Sequence, residues 1–235
     1  MRITFISDTH TKHAQITQDL PGGDLLIHAG DLMNSGYYWE EVYPFLDWFN
    51  NLGNYDHKVF IAGNHDRLFE DRPEEVKGLL TGYKNIDYLR DEWIIVGDAD
   101  PHDPNVKTAR IYGSPWQPEF YNWAFNLPRN GVDLEEKWFN IPNSTDILIT
   151  HGPPWGHCDV TPYGNLNVGC ELLRVRVDEL KPKIHVFGHV HSGYGYKFHE
   201  GTHFINASVL SERYQYSNKP ITVDWNPETN ELEFI

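Results

Sequence analysis

Cysteine is almost absent from this chain: Cys158 and Cys170 are the only two in 235 residues. They show neither the tight spacing of a zinc or redox motif nor the density of a disulfide framework, so both are expected to be reduced, structural thiols. Long apolar runs are also missing. No stretch approaches the roughly 18 apolar residues of a membrane span, and the opening MRITFISDTH reaches Asp8 before a signal-peptide core could form. No membrane association is expected, and the location is expected to be cytoplasmic. Positive charge is scarce, with 19 Lys plus Arg against 34 Asp plus Glu and a formal charge of -15. Such a chain repels the backbone of a long nucleic acid, which argues against stable polymer binding. There is no low-complexity tract and no repeat at a solenoid period. What is present, 40% hydrophobic and 23% charged residues over a length suited to one domain (1–235), has ordinary globular composition.

Short apolar, β-branched runs at 3–6, 25–28, 59–62, 93–96, 110–112, 147–150, 184–187, 203–205 and 221–225 predict strands. Between them, 38–52, 74–80, 134–139 and 168–180 carry helical periodicity and are spaced as crossovers. Pro44 counts against the first being one continuous helix. The segment GDADPHDPNVKT, residues 97–108, is read as a solvated hairpin tip in preference to a metal loop.

The strand IAGNHD ends on Asn64, His65 and Asp66, which taken alone is ordinary turn chemistry. Four other predicted strands end the same way: on Asp8 and His10, on Asp31, on His151, and on His189 and His191. In open α/β sheets, functional groups gather beyond the carboxyl ends of the strands, so five such endings point to one site. Asp8 and His10, like His189 and His191, are two residues apart and leave an extended segment on the same side. Two carboxylates, four histidines and one carboxamide exceed the needs of one tetrahedral zinc and suit two octahedral-leaning divalent ions. Gly30, Gly63 and Gly188 each precede a ligand candidate and are expected to let the backbone turn sharply there.

In order, DTH, GD, GNHD, THG and GHVH resemble the motifs of the calcineurin-like metallophosphoesterases, over residues 8–191. RIYGSPWQPEFYNWAFNLPRNG, DILITHGPPWG and HVFGHVHSGYG resemble more closely the small metallophosphoesterase-domain (MPPED-like) proteins. The resemblance implies an α/β fold: a four-layer α/β/β/α sandwich of two mixed sheets flanked by helices, with the metal site at the strand C-terminal ends. It implies two divalent transition-metal ions, manganese first, with iron, zinc or nickel as alternatives. Asp8, His10 and His191 would hold one, and Asn64, His151 and His189 the other, with Asp31 between them. Asn64 would also touch the phosphate. His65 would act on the substrate as general acid or oxyanion stabiliser, with Asp66 supporting it among the catalytic residues. The implied mechanism is in-line attack on phosphorus by a metal-bridging hydroxide.

Comparison within the superfamily narrows the substrate by absence. GDLMNSG lacks the arginine that protein phosphatases of this fold carry in the second motif, and Asn34 stands where purple acid phosphatases have tyrosine. GNHD resembles the class III cyclic-nucleotide phosphodiesterases, so the expected substrate is a small phosphodiester. About +4 from two cations, less two carboxylates and one hydroxide, leaves about +1, which suits a diester monoanion. A phosphomonoesterase, a nuclease of the same fold, and a metal-binding scaffold with little turnover are the alternatives. Trp116, Phe120, Tyr121 and Trp123 are candidates to stack on a base, Trp116 foremost, although rings in such a loop can equally fill a core. Arg67 is expected at the surface. His28 and His185 are expected as satisfied core residues, and His13, His57, His102, His157, His199 and His203 at the surface or in loops.

Overall fold

The computed structural model describes residues 1–97 and 108–235; positions 98–107, most of the expected hairpin tip, lie outside the described residues. One six-stranded sheet contains β1 (Arg2–Ile6), β2 (Gly23–Ala29), β3 (Tyr55–Ile61), β4 (Asp87–Tyr88), β13 (Ile221–Trp225) and β14 (Leu232–Phe234). Its order is β14-β13-β1-β2-β3-β4, with β1 to β4 parallel and the β13–β14 edge antiparallel. A second contains β5 (Glu92–Val96), β6 (Ala109–Ser114), β9 (Ile147–Thr150), β10 (Ile184–Phe187), β11 (Gly195–His199) and β12 (Thr202–Asn206). It runs β11-β12-β10-β9-β6-β5, with four parallel strands between two antiparallel edges. A two-stranded ribbon joins β7 (Gln117–Pro118) to β8 (Asn126–Leu127).

The central strands are covered on both faces, which explains why they read as continuous apolar runs. Side chains still alternate. Ile3, Phe5, Leu25, Ile27, Val59 and Ile61 meet Ile147, Ile149, Ile184, Val186 and Ile205 between the sheets. The intervening Leu26 and Phe60 face outward onto α1 (Trp39–Asn51), α2 (Arg67–Asp71) and α3 (Pro73–Leu80). On the far side, Leu148, Phe187 and Phe204 pack on α4 (Val132–Phe139) and α5 (Glu171–Leu180). Helix, sheet, sheet and helix therefore stack as four layers around three apolar cores, the expected α/β sandwich. A one-residue slip of any central strand would exchange its two faces, so the packing fixes register and thereby the height of every strand end.

Two predicted elements differ. Helix α1 is continuous through Pro44: the apolar stripe of Val42, Phe45, Leu46 and Phe49 is buried, while Pro44 and Glu40 are exposed. Water can solvate the carbonyl that Pro44 leaves unpaired, and burial of the stripe outweighs the lost bond. Helix α5 begins at Glu171 rather than 168, because Cys170 is held by backbone bonds to Pro153 and Trp155 and its thiol caps the Leu173 N–H at 3.3 Å. Both cysteines are free, and burial pushes the Cys158 thiol up to about 11, as suits a structural residue.

Candidate metal centre

The carboxyl ends of β1, β2, β3, β9, β10 and β12 reach one edge. Beyond the strands, Ser7 bridges Ser208 in parallel, so the chain leaving β1 meets the chain leaving β12 and the two sheets are closed together there. The loop after β1 is zipped onto the loop after β2 by Asp8 N to Gly30 O (3.0 Å), His10 N to Asp31 O (3.0 Å) and Thr11 N to Leu32 O (2.9 Å). Following this path puts Asp8, His10 and Asp31 in the left-handed region, at φ 55°, 39° and 59°, and His189, after β10, stands there too at 66°. Non-glycine residues in such conformations cost energy and concentrate where function demands a geometry.

All seven predicted ligand candidates converge. His191 Nε2 lies 3.3 Å from Asp8 Oδ1, and His10 Nε2 and His151 Nε2 lie 3.7 and 3.3 Å from Asp31 Oδ2. Asn64 Oδ1 is 2.9 Å from His151 Nε2 and 2.7 Å from His189 Nδ1. The rings are oriented from behind. His10, His151 and His191 each donate Nδ1–H to a backbone carbonyl, of Met33, Ala29 and Ser211 respectively. Nε2 of each therefore faces inward as the atom free to bind a metal ion. His10 Nε2 is buried without any hydrogen-bond partner, a costly arrangement that a cation would relieve. Ligand atoms of Asp8, His10 and His191, of Asp8, Asp31 and His151, and of His10, Asp31 and His65 form close groups. Nitrogen and oxygen donors of this kind fit divalent metal ions.

The charges agree. Burial opposes ionisation of Asp8, but His191, His151 and His10 outweigh it and hold the carboxyl well below the usual range. Burial likewise opposes ionisation of Asp31, and His151 and His65 lead the groups that hold it low. Burial lowers His151 and His191, yet Asp31 and Asp8 respectively lift each to about 9. His10 falls to about 4 and His189 to about 3, chiefly through burial. Without metal, the neighbouring carboxylates favour the cationic form of both His151 and His191.

Two of the three glycines serve a different purpose from the one expected. Of the three, only Gly30 adopts positive φ, at 98°. At Gly63 a Cβ would meet the Asp31 carboxylate and His151, and at Gly188 it would meet Asp8 and Ser7. Close approach of backbone to ligand, rather than a special turn, excludes larger residues there.

His65 stands beside the ligands with Nδ1 2.6 Å from Asn34 O, its ring stacked on Trp123 at 4.1 Å and edge-on to His10 at 4.6 Å. Its Nε2 lies 3.5 Å from the Tyr214 hydroxyl. Asp66, expected among the catalytic residues, faces away from the cleft. It is fully buried, and its carboxylate accepts N–H bonds from Asp31 (2.9 Å), Leu32 (3.3 Å), Met33 (2.8 Å) and Gly63 (2.7 Å). It braces the loop that carries Asp31.

Trp116 is not in the cleft either. Its indole N–H bonds Asp91 at 2.8 Å, its ring packs on Phe125, and Lys137 Nζ lies 4.3 Å from its centre, so it joins two helical cores. Phe120 and Tyr121 do line a cavity of about 480 Å³ that reaches His189. Arg67 turns to Asn122 O (2.7 Å) and Glu70 rather than to the ligands. His28 is satisfied as expected, between Thr9 Oγ1 (2.9 Å) and Gly30 N (3.2 Å). His13, His157 and His203, expected at the surface or in loops, are all buried, His157 within a loop, because each packs against aromatic neighbours: Phe45 and Trp48, Phe204, and Tyr196. Three contributors escaped sequence reasoning: Asn206, Ser208 and Tyr214. Ser208 Oγ donates to Asp8 Oδ2 at 2.7 Å, and Asn206 anchors Ser208. Both lie at the end of β12, so a sixth strand ending was the available signal; Tyr214 lies beyond every motif.

The family model for calcineurin-like phosphoesterases matches residues 1–193. Metallophosphoesterase domain-containing protein 1 of Homo sapiens is 42% identical over 237 residues, covering 95% of this chain and 70% of its own length. A UPF0046 protein of Caenorhabditis elegans is 36% identical over 251 residues, covering 95% of this chain and 60% of its own. Among solved structures, one with 15% identity superposes over 100% of this chain and 98% of its own at a TM-score of 0.70. TT1561 of Thermus thermophilus follows at 12% identity, with 100% and 97% coverage and a TM-score of 0.64. These structures share the fold, and the family model together with the sequence relatives places the chain: it belongs to the calcineurin-like phosphoesterase family.

Proposed function

We propose that this phosphoesterase hydrolyses small phosphodiesters, cyclic nucleotides among the candidates, at a centre of two divalent transition-metal ions, manganese foremost. Asp8, His10 and His191 would hold one ion, Asn64, His151 and His189 the other, and Asp31 would stand between them. When bound, such ions supply Lewis acidity that activates water and neutralises charge on the phosphate. The chain's own residues supply the rest. His65 is the observation that carries the diester reading: its Nδ1–H is committed to Asn34 O, so Nε2 of the imidazolium form is the atom that can deliver a proton. As water oxygen bonds to phosphorus and the ester P–O bond breaks, that proton passes to the departing alkoxide, and the proton of water is lost to solvent. Trp123 and His10 hold the ring in place. Asn64 donates its amide N–H to a phosphate oxygen.

The formal charge of -15 favours a small substrate over a nucleic-acid polymer. No helix among the described residues is long and apolar enough to cross a membrane. Two free thiols support a cytoplasmic setting. The test is a panel of bis(4-nitrophenyl) phosphate, 4-nitrophenyl phosphate and 2′,3′- and 3′,5′-cyclic nucleotides, on protein stripped and reloaded with manganese, zinc, nickel, iron or magnesium. A higher kcat/KM for the diester is expected. A clear preference for the monoester would overturn the proposal.

A further inference from the structure

The cavity beside His189 is walled mostly by apolar and aromatic side chains, with two carboxylates among them. Phe120, Tyr121 and Tyr163 line it and stay 47%, 80% and 79% exposed, and Phe120 stands edge-on to His189 at 5.4 Å. Glu119 and Glu212 line it as well, and neither makes an ion pair among the described residues; Glu212 accepts only the Ser192 N–H, at 2.9 Å. Gln117, also at the wall, is 1% exposed, and its Oε1 has no hydrogen-bond partner. Arg129, the cation of the lining among the described residues, is already committed. Its guanidinium bonds Gly169 O (2.9 Å), Val168 O (2.8 Å) and the Glu171 carboxylate (2.6 Å).

Two carboxylates without an ion-pair partner and three exposed rings call for a ligand with positive charge. Carboxylates attract such a charge directly, and aromatic faces attract it through their quadrupole. An arm bearing a second phosphate would meet the same carboxylates without a free cation to offset them. A neutral base could use the rings but would leave both glutamates unused.

We propose that this cavity is a subsite for a protonated aminoalkyl arm, so that the substrate is a phosphodiester carrying a primary ammonium group. This rests on the phosphodiesterase reading for its catalytic half, while the subsite itself can be probed without turnover. The scissile phosphate sits at the metal ligands, and the arm extends past His189 between the rings and the glutamates.

The test compares 2-aminoethyl 4-nitrophenyl phosphate with propyl 4-nitrophenyl phosphate, which have the same leaving group and nearly the same shape. In the metal-loaded protein, kcat/KM, corrected for each ester's uncatalysed rate, should favour the aminoethyl ester by roughly tenfold or more. In Glu119→Gln/Glu212→Gln the ratio should fall towards one; glutamine keeps an oxygen for the Ser192 N–H. Independently, saturation-transfer NMR should show propylammonium binding in preference to 1-butanol, with the preference lost in the double variant. Equal rates for both esters, or propylammonium binding that ignores the double substitution or is missing, overturns the subsite. Glutamate-dependent propylammonium binding without hydrolysis of either ester sustains the subsite and overturns the phosphodiesterase reading instead.

Discussion

Asp66 Oδ2 accepts the backbone N–H of Asp31 at 2.9 Å, so a buried carboxylate thirty-five residues along the chain sets the position of the ligand between the two proposed ions. The same carboxylate also takes Leu32, Met33 and Gly63. Replacing it with asparagine turns one acceptor oxygen into a donor facing N–H groups. Asp66→Asn should lower stability by about 2–4 kcal/mol in urea unfolding and reduce metal content. Excess metal should restore part of the activity. Full metal occupancy at unchanged stability would show that the brace is dispensable.

His65 is expected to act on substrate rather than on metal. His65→Ala should lower kcat by roughly 100-fold or more, with metal content by elemental analysis near two ions per chain. Asn64→Ala should instead lose one ion, because Oδ1 contacts both His151 and His189. The reverse pattern would exchange their roles.

Tyr214 positions His65 through the contact between its hydroxyl and Nε2, and its ring lies against His10 at 4.7 Å. Tyr214→Phe should cut kcat by roughly fivefold, about 1 kcal/mol. The pH profile of kcat should shift while KM and metal content hold. A lowered metal content with an unshifted profile would assign Tyr214 to packing alone.

Protons and the proposed metal ions would compete for His151 and His191. Carboxylate neighbours raise both to about 9 in the metal-free fold, above the usual histidine value. Their contribution to stability is therefore full below about pH 6.5 and lost as pH rises towards 9. Calorimetry on chelator-treated protein should find Tm falling over that window. The metal-loaded protein should show the opposite trend, because metal must displace these protons. Titrations in buffers of different ionisation enthalpy should detect their release on metal binding near pH 7. Metal uptake without proton release would contradict the charge assignment.

Gly63→Ala would drive a Cβ into the Asp31 carboxylate and His151. The expected result is loss of metal binding together with a lowered Tm, since neither neighbour can retreat without leaving the centre. Retained metal content would show that the loop has slack.

The sequence determined the strands at the centre of the fold because their apolar runs are local and bounded by glycine and polar residues, and β9 and β10 begin and end where those runs do. It also determined the ligand candidates, since each follows its own strand within a few residues and their chemistry is legible one by one. Tertiary structure alone decided what those residues face. Trp116 and Trp123 look alike along the chain, but one is locked between Asp91 and Lys137 and the other stacks on His65. Ser208 supports Asp8 across 200 residues, and Tyr214 reaches His65 across 149. Such contacts have no local signature, because they exist only once two sheets pack and carry their strand ends to a shared edge.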